Sequence, residues 1–244
     1  MLPIKAVLFD LDDTFWPVFP VITRAETVLY DWLRLHAPAV AARFSIEQLR
    51  TQRQQLMANN PTYQIDLSAL RHRALCNALE SVGDDTAKVD QAMEVFTAAR
   101  NDVTLFSDVL PTLELLHQRI PLGVISNGTA DLHAIGLAHY FDTIVSAPRV
   151  GCAKPGAAIF HLACDALQID PRHALYVGDD PLLDVAAAQR VGMRTIWIDR
   201  FARTLPESIR PDAQHQSLRE LPSWLEQQLQ QSSKSTMAAS PNAS

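Results

Sequence analysis

Cysteine and lysine are both sparse in this chain, with three of the first and four of the second. Cys76, Cys152 and Cys164 are odd in number and form no CxxC pair, which excludes both a disulfide framework and a zinc site of the usual spacing; buried thiols are expected. No apolar run approaches the roughly 20 residues that span a bilayer, so no membrane partner is expected. Met1-Leu2-Pro3-Ile4-Lys5 passes directly into an apolar strand, leaving no room for a charged, cleavable leader, and the cytoplasm is the expected location. A formal charge of −6 argues against a nucleic-acid surface, which needs clustered Lys and Arg. GxxxxGK[ST], GxGxxG and HExxH are all missing, removing the commonest nucleotide and zinc-protease signatures.

What is present is a 244-residue chain with 48% hydrophobic and 20% charged residues, enough for one full core and a smaller satellite. In Val7-Leu8-Phe9-Asp10-Leu11-Asp12-Asp13-Thr14, carboxylates crowd the end of an apolar strand, where burial penalises uncompensated charge. On an extended backbone Asp10 and Asp12 point the same way with Cα atoms about 7 Å apart, a separation suited to one cation and one phosphoryl group. An EF-hand starting at Asp10 is excluded, because its sixth and twelfth positions are Phe15 and Val21.

Two later segments repeat the design. Leu122-Gly123-Val124-Ile125 runs into Ser126-Asn127-Gly128, and Ala174-Leu175-Tyr176-Val177 into Gly178-Asp179-Asp180. Parallel sheets covered by helices bind ligands beyond the carboxyl ends of their strands, so these segments should meet in one pocket. Lys154, the only lysine between Lys88 and Lys234, supplies the positive charge such a pocket needs.

Amphipathic periodicity predicts helices near Val21 to His36, Ile46 to Ala58, Leu67 to Ser81 and Thr86 to Arg100, broken at Pro38, Asn59-Asn60-Pro61 and Gly83-Asp84-Asp85. From Pro111 a helix to Gln118, a strand to Ser126, a helix from Ala130 and a strand at Thr143 to Ser146 alternate. A helix from Ala157 to Leu167, a strand to Gly178, a helix from Pro181 to Val191 and a strand from Arg194 to Ile198 follow. The predicted fold is α/β: a doubly wound parallel sheet built from residues 1–15 and 108–231, with an all-helical cap, 16–107, inserted after the first strand. Residues 232–244, rich in Ser, Ala and Asn, are expected to be a disordered tail.

Asp10-Leu11-Asp12-Asp13-Thr14, Ser126, Lys154-Pro155 and Gly178-Asp179-Asp180 with Asp184 resemble, in order, the four motifs of the haloacid dehalogenase superfamily, and the insertion resembles its subfamily I cap. The resemblance implies a Rossmann-like core in which Asp10 is a nucleophile forming an aspartyl phosphate and Asp12 is the acid/base. It implies Mg2+ held by the Asp10 carboxylate, the Asp12 carbonyl and the Asp179 carboxylate. Ser126 and the amides of Asn127 and Gly128 would bind phosphoryl oxygens, and Lys154 would neutralise their charge. Either Asp180 or Asp184, one helical turn apart, would orient a metal-bound water or hold Lys154.

A response-regulator receiver also uses acidic residues, a hydroxyl and Lys-Pro around an aspartyl phosphate, but Asp179 and Asp180 have no counterpart there. Within the superfamily, Asp12 favours phosphoryl chemistry over dehalogenation, because a halide leaves without a proton. The lack of lysine from Trp16 to Ala87 argues against phosphonate cleavage through a Schiff base. Val21-Ile22, Ser126-Asn127-Gly128, Ala147-Pro148-Arg149-Val150-Gly151 and Asp184-Val185 are similar to riboflavin-pathway phosphatases acting on flavin mononucleotide or 5-amino-6-(5-phosphoribitylamino)uracil.

The expected activity is therefore Mg2+-dependent hydrolysis of a small phosphorylated metabolite. A phosphotransfer mutase, a 2-haloacid dehalogenase and a noncatalytic phosphate-binding protein are the alternatives. In the cap, Phe15 to Ile22 could stack a flat ring or form a packing hinge. Arg71, His72 and Arg73 could touch a polar substrate or be a solvated helix face.

Overall fold

The computed structural model describes residues 2–238. Strand β1 (Ala6–Phe9) is followed by helices α1 (Val18–His36), α2 (Pro38–Arg43), α3 (Ile46–Asn59), α4 (Leu67–Glu80) and α5 (Lys88–Asn101). The chain then returns through α6 (Val109–Leu116), β2 (Leu122–Ser126), α7 (Leu132–Ile135), β3 (Thr143–Ser146), α8 (Ala147–Val150) and α9 (Ala157–Ala166). It continues with β4 (Ala174–Gly178), a π-helical segment (Pro181–Ala186), α10 (Ala187–Arg190), β5 (Arg194–Ile198), β6 (Ala213–His215) and α11 (Leu221–Ala238). All strands are parallel, in the order β3-β2-β1-β4-β5-β6.

Alternation of side chains across the sheet produces two cores. Val7, Phe9, Val124, Val177 and Ile196 face α6 and α11, which bring Leu113, Leu116, Leu221 and Leu225. Leu8, Ile125 and Tyr176 face α9 and α10, which bring Ile159, Phe160, Ala163 and Ala188. Phe9 pairs with Val124 on one side and Val177 on the other, so the central strands end level and their following residues emerge together. The chain reverses direction across the sheet at β1, creating a crevice between β1 and β4 at the carboxyl edge.

Helices α1 to α5 share a separate core of Leu29, Leu33, Val40, Leu75, Leu79 and Phe96. Helix α3 starts at a capping box in which Ser45 and Gln48 exchange side-chain and backbone hydrogen bonds, and α4 starts on Asp66, which accepts from the Ala69 amide. One buried carboxylate organises the charged flank: Glu26 accepts from Arg50 (2.5 Å) and Arg53, with Arg71 at 3.8 Å. The two crossings between this helical segment and the core are joined by Arg200, whose Nη2 donates to the Thr14 carbonyl (2.9 Å) and whose Nη1 donates to Asp108 (2.6 Å).

Several expectations need correction. Helix α11 extends through residues 232–238, where the tail was expected to begin: no glycine or proline stands between Pro222 and Ala238, and Leu218, Leu221 and Leu225 anchor the helix start. Residues 239–244 of that expected tail lie outside the described residues. The thiols are free, but only Cys164 is fully buried. Phe15 and Trp16 are fully buried and pack on Phe9 and each other, so the segment after the first motif is a packing hinge at those rings and not a stacking surface. No helix among the described residues is long and apolar enough to cross a membrane.

Removing the shared carboxylate should release the charge repulsion among the three arginines. Glu26→Ala is expected to destabilise the chain by about 3–5 kcal/mol in urea unfolding, the usual cost of deleting one partner of a buried ion pair; a loss below about 1 kcal/mol would show that the cluster is solvated.

Candidate functional site

The strand ends build the site. Asp10 follows β1, with its amide donating to the Val177 carbonyl (2.9 Å) across to β4. Asp13 adopts a left-handed conformation (φ 61°) and accepts from the Val18 amide, which folds the chain back and turns Asp12 into the same cavity as Asp10. This cavity, about 240 Å³, is lined by all the candidate site residues: Asp10, Asp12, Ser126, Asn127, Gly128, Lys154, Asp179, Asp180 and Asp184.

Lys154 lies at its centre. Its buried ammonium donates to Asp10 Oδ1 (2.5 Å), Asp184 Oδ1 (2.6 Å) and the Tyr176 hydroxyl (3.0 Å). Its backbone is held by Asn127, whose side-chain amide donates to the Lys154 carbonyl and accepts from the Lys154 amide, both at 2.8 Å. The Asn127 side chain thus fixes the lysine loop against the β2 turn. Ser126 Oγ accepts from the Gly128 amide (3.0 Å), closing that turn.

Asp180 and Asp184 have different tasks. Asp180 caps the π-helical segment, accepting from the Leu182 and Leu183 amides at 2.7 and 2.8 Å. Asp184, buried, takes Lys154 through Oδ1 and the Asp180 amide through Oδ2 (2.9 Å). Gly178 makes this possible, because a Cβ there would overlap the Asp184 carboxylate.

Asp179 Oδ2 and its carbonyl both accept from Arg203 Nη2 at 2.8 Å, and the Trp197 indole donates to the same carbonyl (2.7 Å). Asp12 Oδ1 accepts from Trp16 Nε1 (2.8 Å) and Arg100 Nη2 (2.6 Å), and its Oδ2 faces Gly128.

Tyr176, Arg203, Arg100 and the Trp16 indole belong to the site and escaped the motif reading. Arg100 alone left a trace: it continues the apolar α5 stripe Val89, Ala92, Phe96, where a charge demands a buried partner. Of the cap residues considered, Arg71 faces a cleft and lies over the Phe96 ring, 3.5 Å from its centroid, whereas His72 and Arg73 are exposed.

The electrostatics show an excess of negative charge. Carboxylate oxygens of Asp10, Asp179 and Asp184 lie within 4.8 Å of one another. Burial, reinforced by Asp184, pushes the Asp179 carboxyl up to about 7 against the opposing pull of Arg203. Burial also raises Asp10 well above the usual carboxylate range, with Asp184 and Asp179 adding to the effect and Lys154 opposing it. Burial alone would discharge Lys154, but Asp10 and Asp184 hold its ammonium well above the ordinary value. This set of hard, crowded oxygens fits a divalent cation.

Fold and site define an α/β enzyme with an inserted helical cap and a carboxylate-lysine centre at the carboxyl edge of its sheet. Residues 4–192 match the family described as haloacid dehalogenase-like hydrolase, and the chain belongs to that family. It is 32% identical over 199 residues to the 5-amino-6-(5-phospho-D-ribitylamino)uracil phosphatase YigB of Escherichia coli (strain K12), covering 80% of this chain and 83% of that protein. It superimposes on a 2-haloacid dehalogenase from Pseudomonas syringae pv. Tomato DC3000 with a TM-score of 0.86 and 40% identity, covering 92% of this chain and 99% of that one. A HAD phosphatase from Thermococcus onnurineus matches with a TM-score of 0.66 and 26% identity, over 91% of this chain and 98% of that one.

A divalent cation bound here would compete with protons for the same carboxylates. With Asp179 near 7 in the folded chain and 3.8 ordinarily, the folded state holds a proton that the unfolded state has lost, so cation-free stability should fall as pH rises through that window. Added MgCl2 should therefore raise the melting temperature more at about pH 8 than at about pH 5.5. Equal increases at both would remove Asp179 from the ligand set.

Proposed function

We propose that this chain is a Mg2+-dependent phosphomonoesterase of small phosphorylated metabolites that works through an aspartyl phosphate on Asp10. The observation carrying this reading is the position of Asp12, which shares the Asp10 cavity and keeps Oδ2 clear of the two donors on Oδ1. Asp10 attacks phosphorus, the bond to the leaving oxygen breaks, and Asp12 gives that oxygen a proton through Oδ2. Water then attacks phosphorus, Asp12 takes its proton, and the bond to Asp10 breaks to release inorganic phosphate. Lys154, Ser126 and the amides of Asn127 and Gly128 hold the phosphoryl oxygens, and Asp184 holds Lys154 in place.

Mg2+ would be held by the Asp10 and Asp179 carboxylates and the Asp12 carbonyl, with Asp180 and Asp184 supporting. When bound it supplies charge neutralisation for the phosphoryl oxygens. Flavin mononucleotide and 5-amino-6-(5-phosphoribitylamino)uracil head the substrates to test, given the named activity of the Escherichia coli relative. The cytoplasm is the location we propose, a reducing compartment suiting three free thiols.

A second reading, 2-haloacid dehalogenation, is favoured by the likeness to the Pseudomonas syringae structure. Phosphate release from a panel of phosphate esters, run beside halide release from 2-chloropropionate, separates the two. Phosphate without halide is expected; halide alone would overturn the phosphatase reading. Asp10→Asn should lower phosphate release by at least about 10³-fold with an unchanged circular dichroism spectrum. Retained turnover in that variant would reject Asp10 as nucleophile.

A further inference from the structure

The loop that leaves β5 aims one guanidinium at the catalytic cavity. Asp199, 4% exposed, accepts from the Arg203 amide at 2.9 Å and from the Phe201 amide at 3.4 Å, which bends residues 199–203 into a turn. Inside that turn Ala202 is left-handed, with φ at 53°. A side chain with a Cβ adopts this conformation only where its surroundings impose it, and such strain gathers at functional sites. The turn returns the Arg203 side chain to Asp179, the residue that follows β4.

Arg203 holds Asp179 at two points with one nitrogen. Its Nη2 donates to Asp179 Oδ2 and to the Asp179 main-chain carbonyl, both at 2.8 Å, and the Trp197 indole donates to the same carbonyl at 2.7 Å. Backbone and one carboxylate oxygen are thereby fixed, and Oδ1 is left over. That oxygen accepts no hydrogen bond among the described residues and is not one of their buried unpaired atoms, so it opens to the cavity that Asp179 and Arg203 both line. Asp12 is divided in the same way, with Oδ1 taken by Trp16 and Arg100 and Oδ2 clear.

This geometry decides between two roles. A guanidinium spread over both oxygens of Asp179 would have to be displaced by a cation, whereas one bound to Oδ2 alone leaves a ligand oxygen ready. Its charge still repels a cation, but the Arg203 side chain is 37% exposed and water screens that repulsion. Loss of the outer hydrogen-bond partner of a ligating group costs about ten- to a hundredfold in metal affinity, so orientation outweighs repulsion here.

Resting on the cation site of the phosphomonoesterase reading, we propose that Arg203 is a positioning residue for the divalent ion: it holds Asp179 by one oxygen and presents the other to the cation. It acts through Asp179 and touches neither the ion nor phosphorus.

The test is calorimetric titration of MnCl2, a probe for oxygen-ligated sites, into the full-length wild type, Arg203→Gln and Arg203→Lys, each with an unchanged metal-free circular dichroism spectrum. Arg203→Gln should weaken Mn2+ binding by about ten- to a hundredfold, and Arg203→Lys, which keeps a charged donor, should recover part of the loss. Unchanged affinity in Arg203→Gln, even with a lower metal-free melting temperature, would make Arg203 a loop brace and overturn the proposal. Tighter binding in Arg203→Gln would overturn it too, by making the guanidinium a competitor of the ion. A wild type that takes up no Mn2+ sinks the proposal together with the cation site. The expected order of affinities supports it even if no phosphate ester is hydrolysed, a result that sinks the phosphatase reading alone.

Discussion

Everything at the carboxyl edge of the sheet depends on one buried ammonium. Lys154 lies between Asp10 and Asp184 and under the Tyr176 hydroxyl, and without its charge the buried carboxylates around it would have to take up protons or water. The surrounding structure is arranged to keep it there. Asn127 grips its backbone from the β2 turn, Gly178 leaves room for Asp184, and the level endings of β1, β2 and β4 bring the partners to one height. Removing any of these would shift the lysine, and with it the balance among Asp10, Asp179 and Asp184.

A second ion pair, Arg100 on Asp12, joins cap to core across 88 residues of chain. It gives the helical insertion a direct hold on the Asp12 carboxylate. The cap is thus more than a cover: one of its helices sets the electrostatic surroundings of a residue in the first motif, and the Trp16 indole, at the start of the insertion, adds a second donor to the same oxygen.

The strands were legible because each is a short buried run bounded by polar turn residues. β2, β3, β4 and β5 fall where the pattern places them. β6 was not legible: Ala213-Gln214-His215 is short and only half-buried, and joins the sheet at its edge. The short helix α2 follows Ala37 on Pro38, which resembled a break, and the four-residue helix α8 follows Ser146 with Pro148 in its first turn. In the site, residues that end strands or stand in spaced motifs were visible. Arg203 and Tyr176 were not, because their roles exist only after distant segments pack, and Arg100 showed only as a charge in the apolar stripe of α5. The division between Asp180 and Asp184 likewise needed three dimensions: one caps a helical segment, the other reaches back over Gly178 to the lysine.

Arg200 ties the outgoing crossing at Thr14 to the returning crossing at Asp108. Both strands of the neck between the two lobes therefore meet at a single clasp, which Ser217 and the Leu218 amide brace from behind by donating to the same Asp108 oxygen. The clasp holds the two chain crossings at one place beside the sheet edge. The entry and exit of the inserted helices are therefore fixed to each other by a side chain that belongs to neither, so the insertion and the sheet share one point of attachment.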